Sequence, residues 1–367
     1  MPPDEEAAMK LETPWRRDLD EVGSALGKWA RATLGADADV SSASAPGNGM
    51  SSETVLFEMT LGGERERYAA RLAPMPEVYP VFPEYDIELQ AKCMNLVRTR
   101  TDVPAPDVRW VELDPHWLGT PFLVMRRLDG DAPPDIPPYV FGGWVADAPP
   151  ETRAAMQTRT LDVLTKLHEL TPANTDLSFL ARPQHGSTAL RQQLGHERWY
   201  YDWAREGVSY PLIDATFAWI DAHWPDEGET VLNWGDARVG NILYRDFTPI
   251  AVLDWEMATM GPREVDLAWM IFLHEFFHDM AVGFGLPGMT DFMQRDSVIA
   301  EYETLSGHEV RNLDWFEVFA ALRFAIVSIR TSKRGIAYGT MEEPADPDDL
   351  IMFRSLLEAM LAGTYWR

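Results

Sequence analysis

Residues 232–256 read LNWGDARVGNILYRDFTPIAVLDWE, and three oxygen-bearing side chains in this stretch, Asp236, Asn241 and Asp254, decide how the rest of the chain is read. A transferred phosphoryl group needs its nucleophile aimed, its metal ions held and its charge neutralised, with little covalent help. In phosphoryl-transfer loops an aspartate orients or deprotonates the attacking hydroxyl. An asparagine five residues on and a second aspartate after a strand hold magnesium. Asp236 and Asn241 stand five apart. Beyond them NILY, a turn from Arg245 to Pro249 and IAVL predict a short hairpin that returns Asp254 to Asn241. Any one of these residues alone reads as a turn or cap residue; the ordered set points to phosphoryl transfer.

Composition narrows the partners. With 367 residues and 46% apolar content, the chain is long enough for two lobes with cores of their own. A net charge of −26 argues against nucleic acid and anionic membrane, which call for basic surface, and is compatible with a cationic small molecule. The single cysteine, Cys93, excludes an internal disulfide framework and suits a reducing cytoplasm. The acidic start MPPDEEAAMK does not read as a signal peptide, and no apolar run reaches membrane-spanning length. Oligomeric state leaves no mark in the sequence.

The pattern along the chain predicts an α+β protein of two lobes, residues 1–128 and 129–367. The first holds a leading amphipathic helix over about 13–35 and then strands with one helix. The proline-rich DAPPDIPPYVFGGW and the APP at Ala148–Pro150 mark entry to a mainly helical lobe. Its helices are expected over Glu151–Leu170, two within 187–224, and then near 264–283, 291–305, 313–335 and 347–363.

WGDARVGN, then VLDWE, then GPREVDLAW closely resembles the aminoglycoside phosphotransferase-like family of small-molecule kinases, in particular its acidic actinobacterial members. TDVPAPDVRWVE, LGTPFLVMRRLDG and LTKLHEL fall in the family's order, so the resemblance covers roughly residues 50–280. It implies a protein-kinase-like fold with a small antiparallel-sheet lobe and a larger helical one, and ATP and Mg2+ as cofactors. It implies a small-molecule hydroxyl as acceptor, Asp236 as catalytic base, Asn241 and Asp254 as magnesium ligands, and Asp266 as a buried support of the loop.

This chain departs from the family at several positions. Trp234 stands where the family has the loop histidine, and its indole N–H can serve as the replacement donor. None of the five lysines lies on the third strand, RYAARLAP, so Arg71 is the expected phosphate clamp. On the following helix, near Tyr85–Arg98, the apolar face of Leu89, Cys93, Leu96 and Val97 is bordered by Gln90. A hydrogen bond from Gln90 to Arg71 is then expected in place of the usual ion pair. Arg238 is read either as a second cation near the transferred phosphate or as a surface loop residue. The segment SAPGNGMSSET, with Ser51 and Ser52, is expected to cover phosphates with its backbone amides. Backbone groups around Met125, Arg127 and Leu128 are expected to meet adenine.

One rival motif is present. His274, Glu275 and His278 spell HEFFH, the H-E-x-x-H of zinc hydrolases, though the same helix reads equally as a core helix with two satisfied histidines. Three classes of function remain: an ATP-dependent O-phosphotransferase, a catalytically silent nucleotide-binding protein, and the zinc hydrolase. For the first, the resemblance suggests an aminoglycoside, while other branches phosphorylate hydroxyacyl-CoA thioesters or choline-like alcohols. The aromatic segment with Trp199, Tyr200, Tyr201 and Trp203 is where the family builds acceptor specificity. The acidic run Glu342–Asp349 reads either as a cation-binding wall or as a solvated loop.

Overall fold

A computed structural model describes residues 16–46, 53–75 and 77–366. Helix α1 (Leu19–Thr33) begins where the Asp18 carboxylate accepts the amides of Asp20 and Glu21, later than the expected residue 13, which lies outside the described residues. Its buried stripe of Val22, Leu26, Trp29 and Ala30 packs onto one face of a sheet, Trp29 meeting Phe122 edge-on at 5.3 Å.

That sheet joins β1 (Asp39–Ser44), β2 (Glu53–Leu61), β3 (Glu64–Leu72), β4 (Val108–Glu112) and β5 (Phe122–Arg126), antiparallel throughout, in the order β1-β2-β3-β5-β4. The β2–β3 hairpin turns on Gly62 and Gly63 at φ +60° and +79°, the left-handed pair that a two-residue turn demands. Side chains of β5 divide by parity: Phe122 and Val124 join the core under α1, while Leu123 and Met125 face α2 (Ile87–Arg100). Asp86 caps α2 by accepting the Leu89 amide.

Beyond β5 the chain is mainly helical: α3 (Pro150–Leu167), α4 (Ala189–Ala204), α5 (Pro211–Ala222), α6 (Glu264–Gly283), α7 (Arg295–Ser306), α8 (Leu313–Ala337) and α9 (Arg354–Leu361). The central pair is α6 and α8, with Trp269, Phe272 and Phe276 of one against Phe324 of the other. Between α5 and α6, β6 (Val231–Asn233) pairs with β9 (Thr259–Gly261) and brackets the predicted hairpin, β7 (Ile242–Arg245) with β8 (Thr248–Val252). The hairpin turns on Asp246 and Phe247, both at positive φ.

The helix ends differ from expectation for physical reasons. The acidic run before α9 caps and pairs: Asp346 accepts the Asp348 amide at a short 3-10 turn, Arg354 binds Asp346 and Asp349, and Asp348 accepts the Leu212 amide. Helix α9 therefore starts at Arg354, and the run is neither a helix nor a free acidic wall. Among the described residues no helix is long and apolar enough to cross a membrane.

Candidate active site

The loop after β6 is built around a buried carboxylate. Asp266, in the first turn of α6 and 0% exposed, accepts the backbone amides of Trp234 at 2.8 Å and Gly235 at 2.9 Å. His168 at the end of α3 lies behind it, Nε2 at 3.1 Å from Asp266 and Nδ1 at 2.7 Å from the Tyr302 hydroxyl. Gly235 has φ +91°, and a Cβ there would lie 1.9 Å from the Met257 carbonyl oxygen, so only glycine fits. The Trp234 indole donates to the Leu253 and Asp254 carbonyls at 2.8 and 3.2 Å, tying this loop to the end of the hairpin. Trp234 is thus a donor, as its place in the motif suggests.

Asp236 stands at the centre of a fan of donors. Asn241 Nδ2 reaches its Oδ2 at 2.6 Å, Trp269 Nε1 its Oδ1 at 2.6 Å, and Arg238 Nε both oxygens at 3.1 and 3.2 Å. Arg238 also donates to Asp135 at 2.6 Å. Burial opposes its charge, but Asp236 and Asp135 raise its pKa above the ordinary arginine value. The Leu253 amide donates to the Asn241 carbonyl at 2.8 Å, which brings the chain back to Asp254. That residue takes φ +57°, an uncommon conformation away from glycine and one found often at functional sites. The three residues of the sequence motif therefore share one site.

Arg71 on β3 crosses to it from the sheet. Its Nη2 donates to Asp254 Oδ1 at 2.5 Å and to Glu256 Oε2 at 3.1 Å. Burial works against the guanidinium charge, and these two carboxylates outweigh it. The expected hydrogen bond from Gln90 is not formed: Gln90 is 0% exposed, and neither of its amide atoms has a partner. The carboxylates take Arg71 because charge-assisted bonds outcompete a neutral amide. The linker after β5 was expected to meet adenine, and part of its backbone is in use. The Arg127 amide is spent on the Arg67 carbonyl at 2.9 Å, and Met125 lies within the ladder opposite Ala69 and Val108. Leu128, the last of the three, is 37% exposed. Ser51 and Ser52 lie outside the described residues.

The H-E-x-x-H helix is α6, and its histidines are in use. His274 is buried with Nδ1 2.7 Å from the Tyr139 hydroxyl, and His278 Nδ1 accepts the Met289 amide. No group of three His, Cys, Asp or Glu side chains suited to a metal is found among the described residues. Sequence reasoning missed Trp269, Asp135, Glu256 and His168. Glu256, His168 and Trp269 carried a signal, as the last letter of VLDWE, the histidine of LTKLHEL and the last letter of GPREVDLAW.

A five-stranded sheet with helices α1 and α2, set over a helical lobe whose loop gathers Asp236, Asn241 and Asp254, defines a kinase-like fold. A model of the phosphotransferase enzyme family matches residues 42–289, and the chain belongs to that family. Among solved structures it is similar to a putative aminoglycoside phosphotransferase from Ralstonia eutropha (TM-score 0.62, 21% identity, 94% of this chain and 98% of that one). It is also similar to the aminoglycoside phosphotransferase APH(4)-Ia in complex with ADP and hygromycin B (TM-score 0.57, 16% identity, 92% and 98%). Among curated proteins it is 25% identical over 309 residues to the probable acyl-CoA dehydrogenase IBR3 of Arabidopsis thaliana, which covers 78% of this chain. The chain spans 35% of that relative's length.

Proposed function

We propose that residues 1–128 form the nucleotide-side lobe and 129–367 the acceptor-side lobe of a small-molecule kinase, with Asp236 as its catalytic base. The observation that carries this reading is the 2.6 Å bond between Asp236 and Asn241, next to a hairpin end that presents Asp254. Asp254 and Asn241 offer only hard oxygen ligands, the donor type Mg2+ prefers. When bound there, Mg2+ neutralises charge on the nucleotide's phosphates. Asp236 aims the acceptor hydroxyl and takes its proton as the oxygen bonds to the γ-phosphorus and the bond to ADP breaks. Asn241, Trp269 and Arg238 fix the rotamer of that carboxylate. Arg71 keeps Asp254 and Glu256 aligned, and its Nε, buried with no partner, is free for a phosphate oxygen.

For the acceptor we favour a hydroxyacyl-CoA thioester over an aminoglycoside. A polycationic acceptor needs carboxylates free to meet it, whereas Asp346, Asp348 and Asp349 are committed to Arg354, Leu212 and a turn. The relative named as an acyl-CoA dehydrogenase supports the same choice. Transfer from MgATP to a panel of aminoglycosides, hydroxyacyl-CoAs and amino alcohols tests it. Phosphorylation of the thioesters is expected; transfer to aminoglycosides alone would overturn the acceptor, and MgATP binding without any transfer would favour a silent nucleotide-binding protein.

A further inference from the structure

Although the chain carries a net charge of −26, α8 bears Arg323, Arg330 and Arg334 on one face, at exposures of 3%, 4% and 5%. A buried guanidinium is costly unless an anion meets it, so each of these positions asks what anion it serves. At Arg330 the answer is visible in outline. Its guanidinium lies between two aromatic faces, 3.6 Å from the Tyr79 ring and 4.0 Å from the Trp203 ring, and its Nε donates to the Pro80 carbonyl at 2.7 Å. With both faces covered, only the edge can bind. At that edge Arg330 Nη1 donates to Glu206 at 2.5 Å, joined by the Tyr79 hydroxyl at 2.8 Å and Lys333 Nζ at 3.3 Å.

Three donors on two elements, α8 and the β3–α2 segment, thus converge on one carboxylate, and that carboxylate is open to solvent. The Glu206 side chain is 47% exposed, and the residue sits just past the end of α4 at φ +50°, a strained conformation for a residue other than glycine. Burial works against its charge, yet Tyr79, Arg330 and Lys333 together hold its carboxyl below the ordinary range, so the donors create a field that favours an anion. A phosphate has more acceptor oxygens than a carboxylate and suits the same fork of donors better.

We propose that Arg330, Lys333 and Tyr79 form a binding site for an anionic group of the acceptor, phosphate or carboxylate, and that Glu206 occupies it as a displaceable internal ligand. Arg323, seven residues earlier on the same helix, donates to the carbonyl of Gly235 at 3.0 Å, beside Asp236. At 1.5 Å of rise per residue the two guanidiniums are about 10 Å apart along α8. The acceptor is then a molecule whose hydroxyl and anionic group are separated by roughly that span. Its role as an acceptor subsite rests on the phosphotransferase reading; the binding of an anion does not.

The test is calorimetric titration of inorganic phosphate into the full chain, with and without saturating MgADP. Glu206→Gln is expected to bind phosphate about tenfold more tightly than the wild type, since it removes the competing charge. Tyr79→Phe, which keeps the ring over Arg330 but loses the hydroxyl, is expected to bind it several-fold more weakly. Unchanged or weaker binding in Glu206→Gln would overturn the proposal and mark the cluster as a plain ion pair. If Glu206→Gln does not fold, full wild-type phosphate affinity in Tyr79→Phe overturns it as well. Tightened phosphate binding in a protein that does not bind MgADP would leave the anion site standing and remove the phosphotransferase reading instead.

Discussion

Asp266 holds the catalytic loop in shape without reaching the acceptor, because two consecutive amides point at its two oxygens. An asparagine there keeps one acceptor oxygen and loses the charge, leaving a buried amide unpaired. Asp266→Asn is therefore expected to destabilise the fold by about 2–3 kcal/mol, measured by urea unfolding; a change below about 0.5 kcal/mol would show that the loop is held otherwise. Gly235 is the sharper steric case. Gly235→Ala must push the Met257 carbonyl away from a Cβ that would sit 1.9 Å from it, so transfer activity should fall by at least about a hundredfold, on the order of 2.7 kcal/mol of barrier. Retention of activity would mean that the backbone at 235 is not fixed. At this scale the sequence was legible where spacing encodes chemistry, as for Asp236, Asn241 and Asp254. It was silent on Asp135, which reaches Asp236 only through Arg238 and carries no local pattern. Gln90 shows the opposite limit: its place on the helix face was readable, but not that two carboxylates would take Arg71 first.

Among the elements, α6 was the most ambiguous in sequence, since H-E-x-x-H and a core helix share one spelling. Packing decides between them. His274 is held neutral by burial, which lowers its pKa from 6.5 to about 4. The unfolded chain takes up that proton more readily, so the stability due to neutral His274 is complete above about pH 6.5 and is lost as the pH falls towards 4. Thermal unfolding from pH 7 to pH 4 should thus show a steeper loss for the wild type than for His274→Gln, and parallel curves would contradict it. The same helix predicts that Glu275→Gln leaves phosphoryl transfer within about twofold, because Glu275 lies six residues, about 120° round the helix, from Trp269, the residue of α6 that bonds Asp236; abolished transfer would place Glu275 in the site. The β7–β8 hairpin was readable from its alternation and turn residues. The start of α9 was not, because the acidic run before it is fixed by Arg354 and by the Leu212 amide of α5.

Over the whole molecule, the two lobes meet through Arg71 with Asp254 and Glu256, and through the segment between β3 and α2, where Tyr79 and Pro80 hold to Glu206 and Arg330. Ligand that bridges the lobes should stabilise both. MgATP at about a hundred times its dissociation constant is expected to add about 2.7 kcal/mol, and Asp254→Asn should lose the part of that gain which EDTA removes from the wild type. The two-lobed α+β architecture was legible from the order of strand and helix patterns, while the proposed anion site was not, because its groups come from α8, the end of α4 and the β3–α2 segment. The most direct test of the central claim follows labelled γ-phosphate from MgATP to a hydroxyl acceptor in the wild type and in Asp236→Asn. The account predicts transfer that drops by about 10³-fold or more in the variant while MgATP binding is kept; equal transfer by both proteins would contradict it.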